Sequence, residues 1–366
     1  MAESLRIAHL GTQSGWRGGE QQQAWLAAGL QERGHSCLMI CNSRGEMLDR
    51  APELGLEACG VRVRGEVGVT SVAGTAAALR RFRPDVIHLH DAHAVLIGSL
   101  AAKLARTPAV IASRRVDFRI NSRWKYTWAI DRIIAISSAI RSVLVDCGIP
   151  EERISVVHSG IDLARFSEMP SREEARSRLD LGDDRPVLGS VAALTDHKGH
   201  RFLLEAWSRV LADHPRAVLL LAGTGELEKQ LRQQAAGLPA PGSVRFLGFQ
   251  ADVPGLLAAL DLFVLSSHLE GLCTSLMDAM AAGLPVVATA AGGIPEVVED
   301  GSTGVLVPPR DPAALAGAIL DLLADPGRRE RLGGAGRESV RRFDRTRTVE
   351  GTLAVYSEVL AGKGRL

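Results

Sequence analysis

Apolar runs rich in Val, Ile and Leu alternate with amphipathic stretches along the whole chain. These runs lack a polar residue at every second position, which is typical of strands buried on both faces of a parallel sheet. In the first half the pattern predicts strands at 5–10, 36–41, 85–90, 109–114, 132–137 and 154–159. In the second half it predicts strands at 186–194, 217–223, 244–249, 262–267, 284–289 and 303–308. Strands that alternate with helices, such as the one predicted at 20–34, indicate a doubly wound α/β fold.

The length of the chain and one interruption of this pattern predict two domains. A chain of 366 residues is long enough for two domains of ordinary size. Residues 166–186 are charged and poor in β-forming residues, so we interpret them as an interdomain linker. We predict Rossmann-like domains at 1–165 and 187–345, and a C-terminal helix at 346–366 that can pack back on the first domain. The two parallel-sheet domains are expected to face each other across a cleft, with ligands outside the carboxyl ends of the strands.

Two carboxylates stand in the otherwise apolar stretch HLEGLCTSLMDAMAAGLPVV, residues 268–287. Glu270 follows a predicted strand, and Thr274 or Ser275 can begin the next helix, because both are good N-cap residues. Asp278 is then expected in the first turn of that helix, where the helix dipole alone could explain a carboxylate. The amides at a helix start also bind phosphate. An acid, a phosphate cradle and a second acid together suit a sugar joined to a nucleotide diphosphate.

Residues 270–309 resemble the signature of glycosyltransferase family 4, the group 1 glycosyltransferases. The pattern E-G-x-x-x-S-x-x-D-A-M-A-x-G-x-P-V-V is followed by AGGIPEVVEDGSTGVLVPP at 291–309. Members of this family are retaining enzymes of the GT-B fold, in which two Rossmann-like domains face each other across a cleft, so the resemblance implies this fold and a retaining reaction. The family has a second Glu where this chain has Asp278, a difference that keeps the carboxylate but shortens its reach.

The resemblance implies a role for each residue of this motif. Glu270 would contact the transferred sugar near the reacting carbon, and Asp278 would bind the ribose hydroxyls of the nucleotide. The diphosphate and the sugar would be lined by Gly271, Leu272, Thr274 and Ser275.

Lys198 lies in the segment GSVAALTDHKGHRFLLEAW, 189–207, which resembles the start of the family's second domain. By this resemblance, Lys198 would neutralise the departing diphosphate. Only five of the 43 basic residues are lysines, which suggests that a compact point charge is needed at this position. A solvated lysine at a helix start is the alternative. Many family members have Arg where this chain has Ala193, so one diphosphate cation is either missing or supplied from elsewhere.

Three glycine-containing segments also match donor-side loops of the family. AGTGE, at 222–226, and the segment around Gly248 and Phe249 correspond to strand ends near the nucleotide base, which Gly248 and Phe249 would contact. In the loop GTQSGWRGGEQQQ, the resemblance implies that Gly18 and Gly19 approach the phosphates or the acceptor. This loop is not GxGxxG, and no acid follows the second predicted strand directly, so a nicotinamide cofactor is not expected.

The sequence HLHDAH, which begins at His88, raises a competing hypothesis. His88 and His90 lie on one face of a predicted strand, and such a pair can bind zinc. A metal-dependent hydrolase would need more ligands, for which His158 and His268 are candidates without ligand-like spacing. The family resemblance instead places His90 and His93 on the acceptor side of the cleft and leaves His88 as a core histidine.

Basic residues near the end of the fifth predicted strand support further hypotheses. Arg114 and Arg115 stand where many family members have a histidine that touches the sugar, and they could hold a phosphate or carboxylate of donor or acceptor. A solvated basic loop explains them equally well. The segment RINSRWKYTW, 119–128, has a composition that fits an anionic membrane surface or single-stranded nucleic acid. We favour an ordinary helix with inward-packed aromatic residues.

The resemblance implies a retaining transfer from a nucleotide diphosphate sugar to a hydroxyl of a carbohydrate or glycolipid acceptor, catalysed by Glu270 and Lys198. No metal or other cofactor is expected, and no convincing DxD motif is present. Only Glu270 is a credible carboxylate beside the sugar, and the family resemblance favours front-side attack assisted by the leaving phosphate over a covalent intermediate. A nucleotide-sugar 2-epimerase of the same fold and a non-catalytic sugar- or nucleotide-binding module are the alternatives.

Composition and charge limit the cellular setting. Five cysteines without a CxxC motif indicate reduced thiols, and no signal peptide or apolar span is evident, so a cytoplasmic protein is expected. Residues 1–165 carry a net charge of +5 and residues 166–366 a net charge of −4. The basic half is compatible with peripheral contact at the inner face of an anionic membrane, and random drift explains so small an imbalance equally well. We expect a role in envelope polysaccharide or lipopolysaccharide synthesis and no nucleic-acid partner.

Overall fold

The computed structural model describes residues 4–63, 68–120, 122–182 and 184–365. Within these ranges the chain forms two α/β units. The N-terminal unit comprises the residues up to Gly160 together with those from Arg345 onward, and the C-terminal unit comprises Ile161–Asp344. Each unit is built on one parallel sheet, as the apolar runs predict.

The N-terminal sheet has seven parallel strands, β1 Arg6–Gly11, β2 Ser36–Asn42, β3 Glu57–Val61, β4 Val86–Leu89, β5 Ala109–Arg114, β6 Arg132–Ala135 and β7 Ile154–Val156. Their order is β3-β2-β1-β4-β5-β6-β7. All six predicted strands are present. The sequence analysis did not predict β3, because this edge strand has the mixed sequence EACGV and is only partly buried.

The C-terminal sheet has six parallel strands, β8 Val187–Val191, β9 Val218–Ala222, β10 Val244–Gly248, β11 Leu262–Leu265, β12 Val286–Thr289 and β13 Val305–Val307. Their order is β10-β9-β8-β11-β12-β13. Each of the six predicted segments contains one of these strands. Every residue of β9, β11 and β12 is buried, which explains why their sequences show no polar alternation.

Fourteen α-helices within the described ranges cover the two sheets. They are α1 Gly18–Gln31, α2 Glu46–Glu53, α3 Val69–Phe82, α4 Ala92–Ala105, α5 Arg123–Thr127, α6 Ser138–Asp146, α7 Arg172–Ser177, α8 His200–Asp213, α9 Glu228–Ala236, α10 Val253–Ala258, α11 Thr274–Ala281, α12 Pro312–Ala324, α13 Pro326–Ser339 and α14 Arg345–Ala361. Among the described residues, none of the helices has the length and apolar character needed to cross a bilayer.

Residues 166–186 belong to the C-terminal unit, so their interpretation as an interdomain linker is wrong. The segment contains α7, which packs against α10. Arg176 of α7 is fully buried; its Nε donates to Ala259 O at 3.1 Å and its Nη2 to Asp261 Oδ2 at 2.7 Å. Composition misled the prediction because it does not distinguish a solvated arginine from one whose donors are satisfied inside the protein. Residue 183 lies outside the described ranges.

The aromatic residues of 119–128 do not all pack inward, which corrects the interpretation that we favoured. Tyr126 of α5 is buried, but the side chain of Trp124 is 55% exposed and that of Trp128 is 45% exposed. Residue 121 of this segment is outside the described ranges.

The last helix completes the N-terminal unit. The Tyr356 hydroxyl of α14 is buried and lies 2.6 Å from His88 Nδ1 of β4. On the surface of the same helix, Glu358 pairs with Arg132 of β6 at 2.6 Å. Residues at opposite ends of the chain therefore share one core.

In both sheets, the strand order reverses at one place, between β1 and β4 and between β8 and β11. Ligands of open α/β sheets bind outside the carboxyl ends of the strands at such a topological switch point. The loops that follow these four strands are therefore the places to look for functional side chains.

Candidate active site

An ion pair lies at the switch point of the C-terminal sheet. Lys198 ends a short helical turn after β8, and Glu270 lies in the loop after β11. Lys198 Nζ donates to Glu270 Oε2, and both side chains are largely buried. Ser267 Oγ donates to the same carboxylate oxygen at 3.3 Å. The structure thus brings together the two residues that the sequence analysis proposes as catalytic.

Hydrogen bonds to backbone carbonyl oxygens fix the loops that carry this pair. The amide of His268 donates to His197 O at 2.8 Å, and Ser266 Oγ donates to Lys198 O at 3.1 Å. Thr289, at the end of β12, donates its hydroxyl hydrogen to Ser267 O. The ion pair is therefore positioned by neighbouring strand ends of a rigid sheet.

Two glycines allow these loops to approach each other closely. Gly199 has φ +66°, and a Cβ atom there would lie 2.1 Å from Ser266 O. Gly292 has φ +51°, and a Cβ atom there would lie 1.8 Å from Glu270 O. Both distances are far below van der Waals contact, and both φ values are strained for other residues. Only glycine therefore fits beside the backbone that carries Lys198 and Glu270.

The helix after Glu270 begins at Thr274, as predicted, but its cap differs from the prediction. Cys273 is the N-cap residue, and no side chain among the described residues caps this end of α11. Asp278 is the fifth residue of the helix and lies in its second turn, so the expectation of a first-turn acid is wrong. Gly271 and Leu272 are buried, and Thr274 and Ser275 are half-buried.

Asp278 is a buried acid with an unsatisfied oxygen. Its side chain is 9% exposed, and its Oδ1 has no hydrogen-bond partner in the described part of the chain. Burial raises the pKa of Asp278 from 3.8 to about 7; Arg165 opposes this increase and Asp162 adds to it. A ligand hydroxyl that donates to Oδ1 would satisfy this oxygen.

The ends of β8, β9 and β10 form a second group of loops beside the ion pair. The amide of Gly223 donates to Gly248 O at 2.8 Å, and the amide of Leu194 donates to Thr224 O at 3.0 Å. Phe249, directly after β10, is 58% exposed. The segments proposed near the nucleotide base therefore lie on strands adjacent to β8, at the same edge of the sheet.

The N-terminal sheet carries a buried histidine cluster at its own switch point. His88 lies 2.6 Å from the Tyr356 hydroxyl and 2.7 Å from Ser113 Oγ, so it is the core histidine that the sequence predicts. His9 Nδ1 and His90 Nε2 are 3.0 Å apart. Burial and nearby Arg115 lower the pKa of His9 to about 3, and the pKa of His90 also lies well below its usual value. These rings are therefore neutral at pH 7.

This cluster differs from the zinc site of the hydrolase hypothesis. Among the described His, Cys, Asp and Glu residues, the group near metal-binding spacing contains His9, His88 and His90, and His158 and His268 are not part of it. Both nitrogens of His88 are already hydrogen-bonded. A guanidinium group lies 3.1 Å from His90 Nδ1 and would repel a cation. The arrangement does not fit a metal ion.

Arg114 is the last residue of β5 and Arg115 follows it, but the two arginines have different surroundings. Arg114 is buried, donating to Tyr126 Oη at 3.4 Å and to the Phe118 carbonyl oxygen, which favours a structural role. Arg115 is half-buried, with its Nη2 3.1 Å from His90 Nδ1 and its Nε without a partner in the described chain. Burial lowers the pKa of Arg115 to about 10, against the opposing effect of Glu20.

The other predicted site residues of the N-terminal unit, the donor-side Gly18 and Gly19 and the acceptor-side His93, differ in their distance from Arg115. Gly18 and Gly19 are the first residues of α1, and a Cβ atom on Gly19 would lie 4.0 Å from Arg115 Cδ. His93, in the first turn of α4, has an exposed side chain. Gly19, His90 and Arg115 therefore form one group, and the structure does not bring His93 into it.

Sequence reasoning missed several members of these groups. His9 pairs in register with His88, because β1 and β4 are adjacent strands. In the sequence, the only sign of this contact was that each of the two apolar runs contains a histidine. Ser267 lies shortly after β11, and Thr289 is the last residue of β12. Both lie at the carboxyl ends of strands, where any polar residue is a candidate for the site.

The chain matches proteins of known fold. Its structure superimposes on the crystal structure of Anabaena Alr3699/HepE, solved in complex with UDP and glucose, with a TM-score of 0.87. The two sequences are 23% identical, and the superposition covers 97% of this chain and 100% of that chain. The chain thus has the GT-B fold. Residues 16–165 match the profile described as Glycosyltransferase Family 4, and residues 171–339 match Glycosyl transferases group 1. It belongs to this glycosyltransferase family, which confirms the resemblance found in the sequence.

Characterised relatives share about a third of their aligned residues with this chain. D-inositol 3-phosphate glycosyltransferase of Geodermatophilus obscurus is 36% identical over 301 residues, which are 78% of this chain and 64% of that protein. The lipopolysaccharide core biosynthesis glycosyltransferase LpsE of Rhizobium meliloti is 36% identical over 189 residues, 51% of this chain and 53% of that protein. The chain thus spans between half and two thirds of the length of these two relatives.

Proposed function

We propose that the protein moves a sugar from a nucleotide diphosphate sugar to a hydroxyl group of an acceptor. The observation that carries this proposal is the Lys198–Glu270 ion pair at the switch point of the C-terminal sheet. A cation and a carboxylate held together there suit a leaving diphosphate and a sugar hydroxyl. Membership of glycosyltransferase family 4 supports the same assignment.

The departing diphosphate would be stabilised from two sides. Lys198 supplies a compact positive charge, and the amino end of α11 supplies backbone amides and the positive end of the helix dipole. Gly271, Thr274 and Ser275 border this end of the helix. Ala193 contributes no charge, so Lys198 is the cation we assign to the leaving group. These groups require no metal ion to balance the developing charge.

The nucleoside would bind beside the diphosphate. Asp278 offers its unsatisfied Oδ1 to a ribose hydroxyl, and Gly248 and Phe249 border the base. Leu272 is buried and would shape the sugar pocket rather than bind it through polar atoms.

Retention at the anomeric carbon follows most simply from front-side attack. The bond from the sugar carbon to the acceptor oxygen would form as the bond to the phosphate oxygen breaks, and the acceptor proton would pass to the departing phosphate. Glu270 is the carboxylate that we assign beside the sugar; its pairing with Lys198 fits electrostatic positioning better than nucleophilic attack.

The acceptor is proposed to bind the N-terminal unit at His90 and Arg115. The unpartnered Nε of Arg115 can donate to an anionic or hydroxyl oxygen of the acceptor. His90, whose Nδ1 lies 3.1 Å from Arg115 Nη2, helps to position this guanidinium group. We propose a role in envelope polysaccharide or lipopolysaccharide synthesis, supported by the likeness to LpsE of Rhizobium meliloti.

Product analysis with radiolabelled nucleotide sugars tests this proposal. Glu270→Gln and Lys198→Gln should each lower the transfer rate at least about a hundredfold, because each removes a group at the reacting centre. The exposed residues Glu205 and Lys229 of the same unit provide matched controls, and Glu205→Gln and Lys229→Gln should transfer normally.

Three outcomes would contradict the proposal. Conversion of the donor to an epimer without an acceptor would indicate the 2-epimerase. Tight nucleotide binding with no turnover for any acceptor would indicate a binding module. Undiminished transfer by Glu270→Gln would remove the assigned role of this residue.

A further inference from the structure

Exposed apolar side chains of the N-terminal unit concentrate near the connection between β5 and β6. Trp124 and Trp128 are the two exposed tryptophans among the five in the chain, and Phe118 and Val116 are also exposed. Leu104, in the last turn of α4, is exposed in the same way. We call these five residues the aromatic surface. Exposing a tryptophan side chain to water is costly, so the exposed pair formed by Trp124 in α5 and Trp128 directly after it indicates a partner.

Side-chain contacts hold part of this surface together. The rings of Trp124 and Trp128 meet edge to face with their centroids 6.3 Å apart. Lys103 Nζ lies 3.9 Å from the centroid of the Trp128 ring. The aromatic surface therefore joins α5 to the last turn of α4, where the ammonium group of Lys103 lies over the Trp128 ring in a cation–π contact.

Strong positive charge accompanies the aromatic surface. Residues 103–128 contain seven Lys and Arg residues and one acid, Asp117. Next to it, Arg80 Nη2 donates to Leu104 O at 2.9 Å. Arg80 also lines one cavity together with Arg83, Arg106 and Arg365. Apolar rings bordered by basic side chains match the boundary between acyl chains and anionic headgroups.

We infer that the aromatic surface docks the N-terminal unit on an anionic lipid bilayer. Nucleic acid fits less well, because Lys103 covers the face of Trp128 that a base would stack on and because Leu104 and Val116 cannot stack. The connection starts at the carboxyl edge of the sheet, beside Arg115, so docking would place the proposed acceptor contacts near the lipid. The inference itself rests on this surface and does not depend on sugar transfer.

Vesicle flotation with the full chain tests the inference. We expect binding to phosphatidylcholine vesicles that contain phosphatidylglycerol, little binding to pure phosphatidylcholine, and weakening by salt. Trp124→Ser with Trp128→Ser should lower the partition coefficient at least about tenfold, and Lys103→Gln with Arg106→Gln should lower it severalfold. Leu54→Ser, a change at an exposed residue of the same unit outside the surface, is the matched control and should bind normally.

Tryptophan fluorescence gives a second readout that does not depend on flotation. Brominated lipids should quench the wild-type protein but not the Trp124→Ser, Trp128→Ser variant, which keeps only the tryptophans that are half-buried or buried. Equal thermal melting of all variants would show that they fold. Unchanged binding by the double tryptophan variant, equal binding to neutral vesicles, or binding to a single-stranded oligonucleotide in place of vesicles would overturn the inference.

Discussion

At the scale of single residues, the clearest chemical feature is an acid kept away from water. Asp278 has a buried oxygen without a partner and a pKa raised by burial to about 7, so near neutrality it is divided between its charged and uncharged forms. A buried carboxylate without a partner costs stability when it ionises. The proposed ribose contact would reverse this preference, because a hydroxyl donor favours the ionised form.

Asp278→Asn should change how stability depends on pH. The pKa of Asp278 rises from 3.8 to about 7 on folding, so the native state holds more protons than the unfolded state between these values. The native chain therefore loses stability as pH rises from about 4 to about 7, by up to about 1.4 kcal/mol per pH unit. In thermal melts from pH 5 to pH 8, the melting temperature of Asp278→Asn should rise relative to that of wild type as the pH increases.

Asp321→Asn, at an exposed position of α12, is the control and should leave this difference at zero. A difference in melting temperature between wild type and Asp278→Asn that stays constant across the whole pH range would contradict the assigned pKa.

Residues of the candidate site could be predicted where a motif lies within one loop, but not where the site depends on which strands are adjacent. Glu270 and Lys198 stand out in their own segments, and the structure joins them. His9 carries no local signal, because its neighbours His88 and His90 are 79 and 81 positions away along the chain and become adjacent only through the strand order. The exposure of Trp124 depends equally on which neighbours α5 packs against.

At the scale of elements, glycine-dependent contacts between loops hold the candidate site. The chain turns through a positive φ at Gly292 directly against the carbonyl of Glu270. The backbone of Glu270 is thereby held by Gly292, and its side chain is held by Lys198 and Ser267. The strands could be predicted largely from buried apolar runs, but their order could not, and the close approach of two loops leaves only an unexplained glycine in the sequence.

Gly292→Ala should disrupt this approach, and Gly301→Ala provides a matched control. Both glycines have positive φ values, +51° and +73°, but a Cβ atom at Gly301 meets no atom within 4 Å. Gly301→Ala should therefore cost about 1 kcal/mol from backbone strain alone. Gly292→Ala should cost several kcal/mol and abolish transfer, because Glu270 must move. Denaturant unfolding and the transfer assay measure both effects; equal costs for the two variants would contradict the proposed clash.

At the scale of the whole molecule, the two ends of the chain build one core. Tyr356 of α14 reaches His88 of β4, 268 positions earlier, so the N-terminal unit is completed only by the last residues of the chain. A final amphipathic helix could be predicted from the sequence, but its buried partner could not. The same limit applies to residues 166–186, whose charges suggested a linker although they anchor the C-terminal unit.

Tyr356→Phe should destabilise the protein by about 1–3 kcal/mol, because it leaves the buried Nδ1 of His88 without a partner. The chain has two tyrosines, and Tyr126→Phe is the control: its hydroxyl accepts only a long bond of 3.4 Å from Arg114. Denaturant unfolding should show a smaller loss for Tyr126→Phe. A larger loss at Tyr126 than at Tyr356 would mean that the His88 contact does not stabilise the unit.

A crystal structure of the protein with the nucleotide diphosphate sugar that most raises its melting temperature tests the central claim most directly. We predict a diphosphate oxygen within hydrogen-bonding distance of Lys198 Nζ, a ribose hydroxyl on Asp278, and the transferred sugar beside Glu270. A nucleotide sugar bound with its diphosphate away from both Lys198 and the amino end of α11 would contradict the account.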